Sequence, residues 1–193
     1  MRYQEYFYNC SPEYAKEISP HLLNEVRWMV SKLRARRTQG EMNQDIAWLL
    51  ASRGWNFSSF PQSMPQTVPA DLGVDGLSKE DIEPLRSAAA CVASTVLDHR
   101  FVMDFSKAFG PHRVYLEAQF GKKEASLMDF CKLRIAYRER HLSLGIELLM
   151  YDPNAFFAHR RAAVSGMATF GVAKEILPVL GLECPIWLIG LEE

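Results

Sequence analysis

No apolar run in this chain of 193 residues approaches the roughly 18 that a membrane helix needs. The opening residues, MRYQEYFYNC, lack the apolar core of a secretory signal. Cysteine is sparse and scattered. Cys10, Cys91, Cys131 and Cys184 form no C-x-x-C pair and no Cys/His cluster with zinc spacing. A zinc module and a disulfide scaffold are thereby excluded. Free thiols in a reducing cytosol are expected, with Cys91 and Cys131 as small buried apolar residues. There is no internal repeat and no low-complexity tract. Charge of one sign is lacking too: the formal net charge is −1. The total therefore does not announce nucleic-acid binding, but the distribution says more. Arg27 to Arg37 carries Arg27, Lys32, Arg34, Arg36 and Arg37 with no acid, and Lys122 to Arg140 carries six basic residues against three acidic ones. His159, Arg160 and Arg161 form a third cluster. Such patches either contact phosphate or are solvated helix faces.

What is present is an ordinary globular composition, 48% hydrophobic and 23% charged. The length favours one domain over residues 1–193, enough to bury roughly 70% of its unfolded surface. Apolar residues at Leu22, Leu23, Val26, Met29, Val30 and Leu33 have helical spacing over Pro20 to Arg37. Glu41 to Ser52 reads as a second helix, ending near Gly54. Phe57 to Gly76 is a long loop rich in Ser, Pro, Gln and Gly. Ser78-Lys-Glu-Asp81 resembles a capping box and predicts a helix to about Asp98. Further helices are expected over Glu124 to His141 and over Gly166 to Leu177, the latter stopping before Pro178. In the first of these, Leu127, Phe130, Leu133 and Tyr137 make one apolar stripe that Met128 and Cys131 widen. Asp152 to Val164 reads as irregular. Gly145 to Met150 and Pro185 to Leu191 read as buried strands. Helices around a few apolar strands predict an α/β fold with a central mixed sheet.

The chemistry concentrates in Asp104 to Lys123, DFSKAFGPHRVYLEAQFGKK. Arg113 to Phe120 alternates, with Val114, Leu116 and Ala118 on one face and Tyr115, Glu117 and Gln119 on the other. Gly110-Pro111 is a turn signal, and Phe101 to Ala108 supplies a preceding strand. A hairpin centred on Gly110-Pro111 sets Asp104 opposite Glu117. Directly opposed residues share a face at roughly 4.5–5.5 Å between Cβ atoms, where like charges are destabilising. A divalent metal would relieve them, because hard cations take carboxylate oxygens. Glu117 and Gln119, two apart on the strand, are expected to face one metal, and the Ala118 carbonyl offers another oxygen. By itself the D-x12-E-x-Q spacing is a weak signal, and it also fits a solvent-facing hairpin edge with chance acids.

Longer matches narrow this. Leu116-Glu-Ala-Gln-Phe-Gly-Lys-Lys123 resembles the V-E-V-Q-F-G-K segment of the BglII/BstYI group of type II restriction endonucleases. Asp104-Phe-Ser-Lys107 is similar to the D-F-x-K of the preceding strand, and Arg113-Val-Tyr-Leu-Glu117 to R-V-A-I-E. Asp129-Phe-Cys-Lys-Leu resembles the helix after the catalytic strand. Leu144-Gly-Ile-Glu147-Leu-Leu resembles V-G-V-E-I, Ser165-Gly166 a Ser-Gly before the last helix, and Pro185-Ile-Trp-Leu-Ile-Gly190 the final P-L-V-L-I-G strand. Upstream, Asn43 to Phe57 more loosely resembles a helix ending in K-G-W.

The resemblance implies a PD-(D/E)XK nuclease core at about 79–191, a central mixed β-sheet flanked by helices, with N-terminal helices 20–54 packed on it. It implies Asp104, Glu117 and the Ala118 carbonyl as Mg²⁺ ligands, with Asp104, Glu117 and Gln119 catalytic. Gln119 stands where most of the wider superfamily carries lysine. A neutral amide orients a water by hydrogen bonding but lowers no pKa by its charge, which leaves deprotonation to the metal. The chain inserts about four residues around Ala108 to His112. An even insertion keeps Asp104 and Glu117 on one face. Lys122 and Ser165 match base-contacting positions of the group, and a lysine donates to guanine O6 and N7. Lys123, Arg160 and Arg161 are expected on phosphate. The helix after the catalytic strand implies a twofold homodimer on double-stranded DNA. The expected function is Mg²⁺-dependent cleavage of both strands of a short palindrome, GATC-centred on the evidence of Lys122 and Ser165, in the cytoplasm of a prokaryotic cell. The alternatives are a nuclease of repair or mobile-element transfer, a DNA-binding protein without cleavage, and a metal hydrolase of another substrate.

Overall fold

A computed structural model describes residues 1–86, 91–94, 99–157 and 166–192. Its centre is a six-stranded mixed sheet in the order β1-β8-β7-β6-β5-β2. The strands are β1 (Arg2–Tyr8), β2 (Asn56–Phe57), β5 (Phe105–Phe109), β6 (His112–Ala118), β7 (Leu144–Met150) and β8 (Ile186–Glu192). β6, β7 and β8 run parallel, and β1, β5 and β2 are antiparallel to their neighbours. β3 (Cys91–Ser94) and β4 (His99–Val102) form a separate antiparallel pair.

Helices cover both faces, as the continuously buried strands β7 and β8 require. On one side α1 (Pro12–Ile18), α2 (Leu22–Lys32) and α3 (Gln39–Ala51) share a core with Val114, Leu116, Ile146, Leu148 and Trp187. On the other, α5 (Lys123–Arg138) and α7 (Phe170–Leu180) pack with Tyr115, Leu149, Ile186 and Leu188. The approach on this side is close at two glycines. A Cβ on Gly145 would stand 2.8 Å from Leu133 Cδ1, and one on Gly190 would stand 2.6 Å from the Phe170 ring. Two short helices complete the set, α4 (Lys79–Ile82) and α6 (Pro153–Phe156). None of the described helices is long and apolar enough to cross a membrane.

Several expectations are corrected. The capping box at Ser78 is present, with Ser78 Oγ accepting from the Asp81 N–H. Its helix, however, ends at Ile82, and a 3₁₀ turn over Glu83–Leu85 follows. Pro84 has no N–H to continue the ladder. The first expected helix stops at Lys32, because the chain turns extended at Leu33 (ψ 144°). The strand expected over Phe101 to Ala108 is split in two, β4 ending at Val102 and β5 beginning at Phe105, with Asp104 in the break between them. The last helix runs to Leu180 through Pro178 and closes on Gly181 at φ 57°. A proline in the last turn forfeits only one bond. Asp152 to Val164 begins with α6, capped by the Asp152 side chain on the Asn154 and Ala155 N–H groups, and 158–165 lie outside the described residues. On α5 the stripe is narrower than expected, because Phe130, Leu133 and Ala136 are buried whereas Met128 and Cys131 face outward. Cys131 is therefore an exposed thiol. The Cys91 side chain lies outside the described residues. The N-terminal strand β1 and helix α1 went unpredicted. β1 is an edge strand whose pairing partner, β8, is the last strand of the chain.

The basic run at Arg27 to Arg37 is partly consumed internally. Arg27 forms a bidentate pair with Glu5, and Arg36 clamps Asp45 and Asp71.

Candidate active site

A two-residue turn joins β5 to β6 at Gly110-Pro111, with Gly110 at φ 60°. Phe109 pairs with His112, and the ladder runs up to Phe105 opposite Leu116. One residue further, the register sets Asp104 across from Glu117. Their contacts bear this out. The Asp104 N–H donates to Glu117 Oε2 (3.4 Å), and Asp104 Oδ2 accepts from the Ala118 N–H (3.1 Å). The Ser58 N–H holds the Asp104 carbonyl (3.1 Å), so the loop after β2 is docked on the same residue.

Glu117 is 3% exposed and points to the α5 side. There Lys132 Nζ lies 2.6 Å from Glu117 Oε1 and 2.6 Å from Asp129 Oδ1. The Gln119 side chain closes the chain of contacts. Its Nε2 donates to Asp129 Oδ2 (2.7 Å), and its Oε1 accepts from the Gly121 N–H (2.9 Å). β6 ends at Ala118, so Gln119 leaves the strand alternation and reaches Glu117 only through Asp129 and Lys132.

A fourth acid stands beside these. Glu147 of β7 is in parallel register with Glu117 and is fully buried. Neither of its carboxylate oxygens has a hydrogen-bond partner. Asp104, Glu117, Asp129 and Glu147 thus share one lysine, Lys132. The electrostatic consequences are one-directional. Burial first, then the Asp104 charge, pushes the Glu117 carboxyl well above its ordinary value, against Lys132. Burial first, then Asp129 and Glu117, does the same to Glu147. Burial raises Asp104 against the opposing bond from the Ala118 N–H. Burial works against the Lys132 ammonium, but Glu117 and Asp129 outweigh it and hold it charged. Buried acids with raised proton affinity in one cluster mark a candidate functional site.

Among the described residues no three of His, Cys, Asp and Glu enclose a ready-made metal cage. The arrangement instead fits a cation that keeps part of its water, held by one or two carboxylates. Asp104 and Glu117 could supply these, and a cavity of about 110 Å³ opens against Asp104 and Ala118.

Asp104, Glu117 and Ala118 are therefore brought to one place, with Gln119 at one remove. Lys122, at the N-cap of α5, and Lys123, its first residue, are exposed beside Gly166 and Met167. Ser165, Arg160 and Arg161 lie outside the described residues. Sequence reasoning did not single out Asp129, Lys132 or Glu147 as site residues. The available signals were an acid and a base three apart on the helix after the catalytic strand, and one acid within the apolar strand LGIELLM.

No curated protein matches the chain in a sequence comparison. Among solved structures, the crystal structure of restriction endonuclease BglII complexed with a DNA 16-mer superposes with a TM-score of 0.62 at 16% identity, covering 100% of this chain and 79% of that one. That likeness shows a shared fold. The sequence itself matches the family model of restriction endonuclease BglII/BglIII over residues 3–191. The chain thus belongs to the BglII/BglIII family of type II restriction endonucleases, DNA-binding hydrolases that are site-specific deoxyribonucleases.

Proposed function

We propose that this endonuclease is Mg²⁺-dependent and acts as a homodimer, cutting both strands of a short palindromic, GATC-centred site in the cytoplasm of a prokaryotic cell. The observation that carries the metal reading is the Asp104–Glu117 pair, two carboxylates joined across a hairpin with raised proton affinities. Restriction endonucleases generally use a divalent metal, and Asp104, Glu117 and the Ala118 carbonyl would hold it here. When bound, it supplies Lewis acidity at the phosphate and a more acidic water.

The chain's own groups do the rest. Lys132 offsets the charge of Glu117 and Asp129 and fixes the Glu117 carboxylate from the α5 side. Asp129 holds the Gln119 amide, and the Gly121 N–H fixes its oxygen, so one Nε2 proton remains for a water or a phosphate oxygen. Lys122 and Lys123, both exposed, would meet DNA, the first at base edges and the second at phosphate. Ser165, Arg160 and Arg161 join them on sequence grounds. The outward face of α5, with Met128 56% exposed, suits contact with a second copy. That the first and last strands pair in one sheet supports a single domain over residues 1–193.

Incubation with phage DNA and Mg²⁺ tests the reading. Discrete fragments are expected, and sequencing their ends gives the site and the cut position. A smear would favour a nonspecific nuclease of repair type, and intact DNA with bound protein would favour a protein without cleavage.

A further inference from the structure

We propose that the cavity at the C-terminal end of α5 is a second phosphate-binding site, separate from the cleavage site. Its volume is about 510 Å³, and Tyr137, Arg138, Arg140, Leu142, Ser143 and Glu183 line it. That is room for a small ligand, whose sites run to roughly 300–1,000 Å³. Lys123 begins α5 and Arg138 ends it. At 1.5 Å of rise per residue, the cavity stands roughly 22 Å along the helix from the lysines proposed to meet DNA.

The lining chemistry selects the ligand. Two guanidinium groups and two hydroxyls face one carboxylate, that of Glu183. Elsewhere in the fold Arg27 and Arg36 grip acids. Among the described residues, Arg113, Arg134, Arg138 and Arg140 make no ion pair. Nor are these side chains needed to cap α5. The Ile135, Ala136 and Tyr137 carbonyls at its end accept from the backbone N–H groups of Glu139, His141 and Arg140. Arg134 lies one turn before Arg138 on the same helix face, and its Nε–H is buried without a hydrogen-bond partner. A buried donor left unpaired is costly, and a bound anion or its water would satisfy it. Arg113 adds a fourth positive charge at the start of β6, where its carbonyl accepts from the Ser143 N–H (2.8 Å). Planar guanidinium groups match phosphate oxygens in pairs, and the Tyr137 and Ser143 hydroxyls offer neutral donors beside them. The wall is held in place. The Ser143 carbonyl accepts from the Tyr14 hydroxyl (3.0 Å), and Ser143 Oγ contacts His112 Nδ1 (3.2 Å).

Calorimetric titration of inorganic phosphate into the full-length protein, without divalent metal, tests this. Arg138→Gln and Arg140→Asn are each expected to weaken phosphate binding by about tenfold or more, the loss of one charge-assisted bond. Glu183→Gln should strengthen it, and Lys123→Ala should leave it unchanged. Both arginines are exposed, and asparagine tolerates the left-handed backbone at residue 140 (φ 61°), so the variants should fold, which melting temperatures verify. A DNA duplex lacking any cleavage site distinguishes two sources of the phosphate. Weaker duplex binding in the two arginine variants would make the ligand a DNA backbone, and unchanged duplex binding beside weakened phosphate binding would make it a free phosphate compound. No phosphate binding by the parent, or unchanged affinity in both arginine variants, would overturn the site. Equal weakening in Lys123→Ala would place the anion on the cleavage face and overturn it as well. Cleavage of a duplex bearing one site should be unaffected in the arginine variants, so the nuclease reading stands or falls separately.

Discussion

Two clusters of buried acid among the described residues are each clamped by a cation, and they are clamped differently. Asp45 on α3, 2% exposed, receives a bidentate bond from Arg36, whose guanidinium also reaches the half-exposed Asp71. There one guanidinium faces one buried acid and one acid that water already screens. Glu117 receives a single bond from Lys132, and Lys132 is shared with Asp129 while Asp104 and Glu147 crowd the same carboxylate. The first cluster is complete. The second is short of positive charge by construction, and buried charge left uncompensated costs stability. That deficit is what the proposed cation would fill, and it distinguishes two clusters whose ion pairs otherwise look alike.

The largest effect should separate the clusters by chemistry. Glu117→Ala is expected to reduce cleavage by roughly 10³-fold or more, since the several kcal/mol that a metal contributes to the transition state would be lost. Specific DNA binding, measured by gel shift, should largely persist. Unchanged cleavage would remove Glu117 from the site.

Next come the cations. Lys132→Ala and Arg36→Ala each strand a buried carboxylate, and each is expected to destabilise the fold by about 3 kcal/mol. Their response to Mg²⁺ should differ. An ion that binds only the folded state stabilises it by mass action, and removal of Lys132 leaves more negative charge to bind it. Mg²⁺ should therefore raise the melting temperature of Lys132→Ala by more than it raises the parent's, and that of Arg36→Ala only by as much as the parent's. Equal responses would mean that the two clusters are alike after all. A smaller effect is expected at the protein surface. Lys122→Ala should weaken specific binding by about 1–3 kcal/mol while sparing nonspecific binding, as a base contact does. Equal weakening of both would make Lys122 a phosphate contact.

The hairpin was readable because its signals are local. Period-two alternation gave β6, Gly110-Pro111 gave the turn, and counting outward from the turn set Asp104 against Glu117. The polar ring around it was not. An acid and a base at Asp129 and Lys132 are three apart on a helix, a spacing that usually means a surface pair. Only the packing of α5 against the sheet turns them inward onto Glu117, 15 residues away from Lys132. Glu147 gave a visible signal, an acid in an apolar strand, but its meaning depends on the parallel register that sets it beside Glu117. β1 carried strand-forming aromatics at Tyr3, Tyr6, Phe7 and Tyr8, but its place in the sheet comes from a register that joins Arg2 to Glu192. Long-range pairing decides what short-range pattern leaves open.

Glu147 gives the smallest and most diagnostic effect, because it bears on the deficit without touching the proposed cation. Its folded carboxyl holds its proton well above the ordinary range, through burial and then the Asp129 and Glu117 charges, whereas in the unfolded chain a glutamate titrates near an ordinary value of about 4.3. Between the two, the folded state has bound a proton that the unfolded state has released. Stability is then full below the unfolded value and falls as pH rises toward the folded one. Glu147→Gln removes that titration. Its melting temperature should match the parent near pH 4 and exceed it at pH 7 to 8, by roughly 2–4 °C per kcal/mol recovered. Glu117 still titrates in the variant, so the decline with pH should become shallower without vanishing. Burial raises the Asp45 carboxyl too, against the Arg36 bonds, so the contrast there lies in the grip of the guanidinium and not in the direction of titration. Asp45→Asn removes the carboxylate that Arg36 grips, and it should lower the melting temperature at neutral pH. Parallel pH profiles for Glu147→Gln and the parent would mean that the charge at Glu147 is already balanced in the fold, and the contrast between the two clusters would lose its basis.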